Sequence, residues 1–156
     1  MLNTLTAKQT ALVIAAVLFV TIAGAWIFQW AGYEPCDLCY KQRWGYYAGI
    51  PLALIAALAG PRFLKPGLYL LALILAANAI FGVYHSGVEW KWWEGPSTCG
   101  AGGLSTGLSG GLPDLSKPAV LCDEAALRIL GLSLAGWNAV ISAGLCVLAL
   151  MGARKP

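Results

Sequence analysis

The stretch QTALVIAAVLFVTIAGAWIFQWAGY, residues 9–33, carries no charge over 25 positions and decides the fold class. A hydrocarbon core of ~30 Å is crossed by about 20 helical residues at ~1.5 Å each. Three further blocks are also free of charge: 44–61, 66–88 and 129–153. Lipid offers no partner to an unpaired backbone group, so these blocks predict α-helices. We therefore expect an all-α integral membrane four-helix bundle. Its predicted spans are 9–32, 37–60, 66–88 and 129–152.

The composition excludes an ordinary soluble domain. Of the 156 residues, 59% are hydrophobic and 11% are charged, whereas globular chains carry roughly 25% charge. We expect one membrane domain, 1–156, with a long loop over 89–128 between the third and fourth spans. Six of the twelve residues in 100–111 are glycine, so part of that loop is predicted to be mobile.

Charges are distributed unequally between the segments that join the spans. The termini and the short turn after the second span contain Lys and Arg but no acidic residue. All acidic residues lie in the other two loops: Glu34, Asp37, Glu89, Glu94, Asp114, Asp123 and Glu124. Lys and Arg alone divide five against five, and Lys117 lies far from either span, so the positive-inside bias is slight. We expect both termini to be cytoplasmic, with the cysteine-bearing loops outside, where disulfides persist.

The motif Cys36-Asp-Leu-Cys39 lies where the second span meets its loop, and Arg43 follows one turn after Cys39. With a helix starting near Pro35, these three side chains share one stripe. Helix N-termini and nearby cations lower the pKa of a thiol, which favours redox chemistry with a lipid-soluble carrier. The alternatives are a static disulfide and a zinc site, for which only His85 is available beyond the cysteines. We expect no metal. For Arg43, the alternative to a role beside the thiols is to anchor the helix end at the lipid headgroups.

A second pair, Cys99 and Cys122, flanks the glycine-rich stretch. It predicts either a structural clasp or an exposed disulfide that a protein partner can reach and exchange. Cys146, within the fourth span, is expected to be an inert buried thiol. His85, near the end of the third span, is expected either to hydrogen-bond a carrier carbonyl or to pack at the interface. The polar residues within spans, Gln29, Asn78 and Asn138, predict interhelical hydrogen bonds or a headgroup pocket.

Together these motifs resemble a known family. The residues that carry the likeness are Pro-Cys36-x-Leu-Cys39-x-x-x-Arg43, Pro-Ser-Thr-Cys99, Cys122-Asp-Glu and Gly131-Leu-Ser-Leu-Ala-Gly-Trp-Asn138. They are similar to the disulfide bond formation protein B (DsbB) family across essentially the whole chain. The glycine-rich stretch departs from the usual form, which points to a short or specialised, DsbI-like member.

The resemblance implies a bacterial inner-membrane enzyme that reoxidises a DsbA-like thioredoxin-fold protein in the periplasm and reduces quinone, either ubiquinone or menaquinone. It implies redox disulfides Cys36–Cys39 and Cys99–Cys122. Cys99 is attacked by the reduced partner, and Cys122 then exchanges with Cys36. Cys39 passes two electrons to quinone, with Arg43 beside it and His85 as a further quinone-side residue. No nucleic-acid partner is expected.

Two competing interpretations remain. A vitamin K epoxide reductase-like enzyme also joins a C-x-x-C motif to a loop pair, but there the loop pair precedes the motif and here it follows. A non-enzymatic four-span scaffold would use its disulfides only as staples. Cysteines that react neither with quinone nor with a reduced protein partner would indicate the scaffold.

Overall fold

The computed structural model describes residues 5–96, 99 and 122–155, which form four α-helices and one short antiparallel strand pair. The elements are α1 (Ala7–Trp30), α2 (Asp37–Leu58), α3 (Pro61–Glu89), β1 (Arg128–Ile129), β2 (Leu132–Ser133) and α4 (Leu134–Ala153). The predicted helical bundle is confirmed, with two-residue strands added. The predicted mobility of 100–111 concerns residues outside the described ranges.

The outer surface of the bundle is apolar. Among the described helices, α1, α3 and α4 are long and apolar enough to cross a membrane, judged by length and composition. Large aliphatic side chains point away from the bundle: Val20, Ile55, Ile80 and Val147. Such a surface suits lipid rather than water. α2 has 22 residues but carries three charges in its first two turns, so its crossing of the bilayer stays a prediction.

α3 begins five residues earlier than the predicted span. The helix starts at Pro61, in the segment that was expected to be a turn. Gly60 precedes it with a φ of 97°, a backbone conformation that glycine adopts without strain. Proline suits a first helical turn because its missing N–H would have no partner there. The chain therefore reverses at one glycine between α2 and α3.

α4 begins five residues later than the predicted span, because a hairpin precedes it. Arg128 pairs with Ser133, and Ile129 pairs with Leu132. The two residues at the tip, Leu130 and Gly131, have φ values of 53° and 85°, the pair of positive angles that a type I′ hairpin turn requires. Ser133 then caps α4, since its Oγ accepts a 3.1 Å hydrogen bond from Gly136 N–H.

A buried polar network joins α2, α3 and α4. Asn78 Nδ2 donates to Asn138 Oδ1 and to Ser142 Oγ, both at 3.1 Å. The Tyr46 hydroxyl donates to the same Asn138 oxygen. The interhelical hydrogen bonds predicted for Asn78 and Asn138 are therefore confirmed. An unpaired polar group in hydrocarbon is costly, so these bonds fix the helices relative to one another.

The α3–α4 contact depends on a glycine. A Cβ added at Gly82 would lie 2.9 Å from the backbone nitrogen of Ala139 and 3.0 Å from its Cα. Backbone atoms cannot turn aside as a flexible side chain can, so any substituent at Gly82 pushes the two helices apart. Gly144, on α4, has no atom within 4 Å of such a Cβ.

We predict that Gly82→Ala lowers the free energy of unfolding by about 1–3 kcal/mol, the usual range for overpacking. The measurement is unfolding of the purified protein in mixed micelles, followed by circular dichroism. Gly144→Ala is the matched control and should leave stability unchanged or slightly raised, because alanine favours helix. Equal stability of the two variants would contradict the close packing of α3 on α4.

Candidate active site: two cysteine pairs and two cavities

The first pair, Cys36 and Cys39, is held by the start of α2. Cys36 is the N-cap residue, and its Sγ accepts a 3.2 Å hydrogen bond from Cys39 N–H. The helix thus begins at Asp37, two residues later than the start near Pro35 that the motif suggested. The two sulfurs lie 2.7 Å apart and carry free thiols. They are a short movement from the ~2.05 Å bond of a disulfide.

The surroundings of Cys36 make its thiol less acidic than an ordinary cysteine thiol. Its hydrogen bond to Cys39 and its burial raise the pKa of the Cys36 thiol well above the ordinary value, and the contact with His85 only partly opposes this. The expectation that the helix N-terminus and Arg43 lower the pKa of both sulfurs is therefore wrong for Cys36.

Arg43 extends from α2 towards α1 and is buried in the protein. Its Nη1 donates a 2.7 Å hydrogen bond to Gln29 Oε1, and its Nη2 lies 3.5 Å from the carbonyl oxygen of Ala25. The guanidinium carbon lies 5.1 Å from the centre of the Tyr40 ring. A side chain with 7% exposure is not a headgroup anchor in the usual sense, because such an anchor keeps its charge in the interface.

Cys39 and Arg43 line a cavity of about 420 Å³, which we call the Cys39 cavity. This volume lies within the ~300–1,000 Å³ of small-molecule sites. Gln42, Tyr46 and Asn138 add polar atoms to its wall. The apolar wall comes from α1, α4 and the hairpin, and includes Val20, Ile22, Phe28, Ile129, Leu134, Trp137 and Ile141. The cavity can accept a flat apolar ligand that also has polar atoms.

His85 lies beside Cys36 and is 1% exposed. Its Nε2 is 3.5 Å from Cys36 Sγ and 4.0 Å from Glu89 Oε1. Its Nδ1 has no hydrogen-bond partner among the described residues. His85 is not among the described residues that line the Cys39 cavity. The structure therefore assigns it a contact with the first pair, which spacing in the sequence did not suggest.

The second pair is a disulfide between Cys99 and Cys122. The two residues are only 3% and 1% exposed, so the expectation of an exposed disulfide is wrong for the described state. Both belong to a buried cluster that also holds Cys36, Leu38 and Val88. Cys39 packs against this cluster. Folding therefore brings the two pairs into one contiguous group, although 59 residues separate Cys39 from Cys99 along the chain.

Cys99 lines a second cavity, of about 520 Å³, which we call the Cys99 cavity. Its wall consists of Val88, Lys91, Trp92, Trp93, Glu94, Gly95, Pro96 and Asp123. Cys122 is absent from the described lining of this cavity, just as Cys36 is absent from that of the Cys39 cavity. One sulfur of each pair thus lies at a cavity, and the other is enclosed.

Two functional neighbours escaped the sequence reasoning. Trp93 stacks on Tyr84, and its indole N–H donates a 2.9 Å hydrogen bond to the Tyr84 carbonyl. A Cβ at Gly87 would collide with the Trp93 ring at 2.0 Å, so that glycine makes room for the ring. Glu89 is a mostly buried carboxyl whose Oε2 has no partner among the described residues. Its position four residues after His85 was the available signal.

Comparisons with known proteins agree with one another. The family of disulfide bond formation protein DsbB matches residues 7–152. A disulfide bond formation protein B of Marinobacter nauticus is 34% identical over 76% of this chain and 74% of its own length. The protein of that name from Verminephrobacter eiseniae is 31% identical over 95% and 90%, and that from an Azoarcus species is 32% identical over 81% and 80%. No solved structure shows a significant match.

We predict that alkylation of the reduced protein at Cys36 begins only at a pH above the range of ordinary thiols, since the raised pKa keeps this sulfur protonated. Replacing Cys39 by Ala removes the largest cause of the shift, so the onset at Cys36 should move to lower pH. Mass spectrometry of the Cys36 peptide after timed alkylation across a pH series measures this. An identical pH profile in both proteins would show that the sulfur–sulfur hydrogen bond does not control Cys36.

Proposed function

The chain belongs to the DsbB family of disulfide bond formation proteins, and from that premise we propose a quinone-dependent thiol oxidoreductase. The family and the membrane-spanning helices make the chain a disulfide oxidoreductase of a bacterial inner membrane. In our proposal it reoxidises a DsbA-like thioredoxin-fold protein in the periplasm and passes two electrons to membrane quinone, ubiquinone or menaquinone. The termini are then cytoplasmic and the cysteine loops periplasmic.

One observation carries this proposal: in each cysteine pair, one residue lines a cavity and the other is not among the described lining residues. Cys99 lines one cavity and Cys39 lines the other. Cys122 and Cys36 are not among the described residues that line either cavity, and both belong to the buried cluster that Cys99 shares and Cys39 packs against. A relay from a protein thiol to a membrane acceptor needs this arrangement, because its two terminal sulfurs must be reachable and its two middle ones need only reach each other. A scaffold stapled by disulfides has no need of either cavity.

The exchange begins at the second pair. A thiolate of the reduced partner attacks Cys99 Sγ, the Cys99–Cys122 bond breaks, and Cys122 leaves as a thiolate. Cys122 then attacks Cys36 of the oxidised first pair, which breaks the Cys36–Cys39 bond and releases Cys39 as a thiolate. The electron pair that entered from the partner now lies on the sulfur at the Cys39 cavity.

The partner is released in the next two exchanges. Its second thiol, as a thiolate, attacks the mixed disulfide, so the oxidised partner departs and Cys99 leaves as a thiolate. Cys99 attacks Cys122 in the Cys122–Cys36 bond, which restores Cys99–Cys122 and frees Cys36. The first pair is then reduced and the second is oxidised.

The residues of the Cys39 cavity fit a quinone. Its apolar wall suits the ring, and Arg43, Gln42 and Tyr46 supply polar groups for carbonyl oxygens. A bound quinone supplies an acceptor for two electrons and two protons, with which the Cys36–Cys39 disulfide is regenerated. Arg43 stabilises the Cys39 thiolate by its charge. His85 is not among the described residues that line the Cys39 cavity. Its direct contact with quinone therefore stays a prediction.

We predict that Cys39→Ser abolishes quinone reduction, because the sulfur at the cavity is the one that holds the electron pair. The assay mixes purified protein with a reduced thioredoxin-fold partner and quinone, and follows quinone absorbance. Cys146→Ser is the matched control, since this thiol lies within α4 outside the cysteine cluster, and it should keep the full rate. A Cys39→Ser protein that still reduces quinone would contradict the proposed relay.

We also predict that Cys122→Ala accumulates a mixed disulfide between the reduced partner and Cys99. Cys99 is first oxidised to a mixed disulfide with a chromogenic thiol, which the thiolate of the reduced partner then displaces. The partner carries only its attacking cysteine, so neither Cys122 nor a second partner thiol remains to break the adduct. Peptide mapping of the covalent adduct identifies the sulfur involved. An adduct that maps to Cys36 would mean that the assigned order of exchange is wrong, even if quinone reduction itself is intact.

A further inference from the structure

The reduced first pair and His85 bring three metal-ligating atoms together. Cys36 Sγ, Cys39 Sγ and a ring nitrogen of His85 all lie within 4.8 Å of one another. Cys36 and His85 are buried, and Cys39 is half-buried. Thiolate sulfur and imidazole nitrogen are the ligands that zinc prefers, in sets of three or four. From the sequence we expected no metal, because zinc prefers a fuller ligand set and only His85 is available beyond the cysteines. Folding places that histidine, from α3, beside the first pair.

The distances suit a tetrahedral ion. Zn–S bonds of ~2.3 Å and Zn–N bonds of ~2.0–2.1 Å place neighbouring ligand atoms roughly 3.5–3.8 Å apart. Cys36 Sγ and His85 Nε2 are already 3.5 Å apart. The two sulfurs, at 2.7 Å, must separate by about 1 Å to hold zinc, which a turn of the Cys39 side chain can supply at its half-buried position.

A carboxylate stands on the ligating side of the histidine. Glu89 Oε1 lies 4.0 Å from His85 Nε2, the same nitrogen that faces Cys36, and Glu89 Oε2 has no hydrogen-bond partner among the described residues. Two thiolates neutralise a divalent ion, and a carboxylate on the ligating side of the imidazole is placed to act as a further ligand rather than to orient the ring through its other nitrogen. Glu89 or a water molecule can fill the fourth position.

We propose that the reduced first pair and His85 form a redox-gated binding site for a thiophilic divalent cation such as Zn²⁺. Binding replaces the two thiol protons with the metal ion and transfers no electrons. When Cys36 bonds to Cys39, or to Cys122, the thiolates are lost and the site no longer exists. A bound ion occupies both sulfurs, so Cys36 cannot exchange with Cys122 and Cys39 cannot deliver its electrons. The site would therefore stop the relay in its reduced state when such cations are abundant.

The test uses the whole 156-residue chain in detergent, with Cys99→Ser and Cys122→Ser in place so that the second pair cannot ligate. The reduced protein is titrated with Co²⁺ under anaerobic conditions, followed by absorbance. We expect one equivalent to bind with a thiolate-to-cobalt charge-transfer band, and Zn²⁺ to displace it. The same protein with Cys36 and Cys39 oxidised should show no band. Equal binding by both redox forms, or none by the reduced form, would overturn the proposal.

Two further variants identify the ligands. In the same background, His85→Ala should weaken Co²⁺ binding by at least about tenfold, and Cys39→Ser should abolish the charge-transfer band. Cys146→Ser is the matched control and should bind as the parent does. Circular dichroism checks that each variant keeps its helical content, and His85→Asn replaces His85→Ala if the smaller side chain unfolds the bundle. Unchanged affinity without His85 would reduce the site to the dithiol alone and overturn the proposal.

The proposed metal site and the proposed relay can be tested independently of each other. Quinone reduction by the native protein in metal-free buffer tests the relay without any cation. If that activity is present while the reduced first pair ignores Co²⁺ and Zn²⁺, only the metal site is wrong. If Co²⁺ binds as described while quinone is never reduced, only the relay is wrong.

Discussion

The cap at the start of α2 is the interaction on which the site depends. Cys36 Sγ accepts the N–H of Cys39, which fixes one sulfur outside the first turn and the other inside it. The two sulfurs of one short motif therefore face different surroundings. Cys36 faces His85 and the second disulfide, whereas Cys39 faces the cavity that Arg43 and Tyr46 line. A polar cap such as Ser would hold the helix equally well, so a sulfur in this position serves chemistry as well as structure.

Polar groups inside the bundle give that site its shape. Arg43 is tied to Gln29 on α1, and Tyr46, one turn further along α2, is tied to Asn138 on α4. The same two α2 side chains line the Cys39 cavity. Lipid provides no competing water, so each buried donor is held by its partner in the protein. The bonds that keep the helices in register thus also hold the cavity open beside Cys39.

The sequence predicts the helices well and the surroundings of the cysteines poorly. Charge-free blocks reveal helices because lipid imposes one requirement on every residue of a span. The hairpin at Leu130–Gly131 and the helical start at Pro61 were missed because local backbone angles, rather than hydrophobicity, decide them. The contact between His85 and Cys36, and the burial of Cys99, depend on how α3 packs against the start of α2. No spacing along the chain encodes such a contact.

In the relay that we propose, the placement of the two middle sulfurs also limits exchange with foreign thiols. Thiol–disulfide exchange proceeds wherever a thiolate can approach a disulfide along the bond axis, so access decides which exchanges occur. Cys122 and Cys36 are not among the described residues that line either cavity, but they share one buried cluster with each other. The raised pKa of Cys36 adds a second restraint, because its thiol is a poor nucleophile until a neighbour removes its proton. In the proposed relay, selectivity therefore comes from the packing of the two middle sulfurs, while Cys99 and Cys39 each face a cavity in which a different partner can be met.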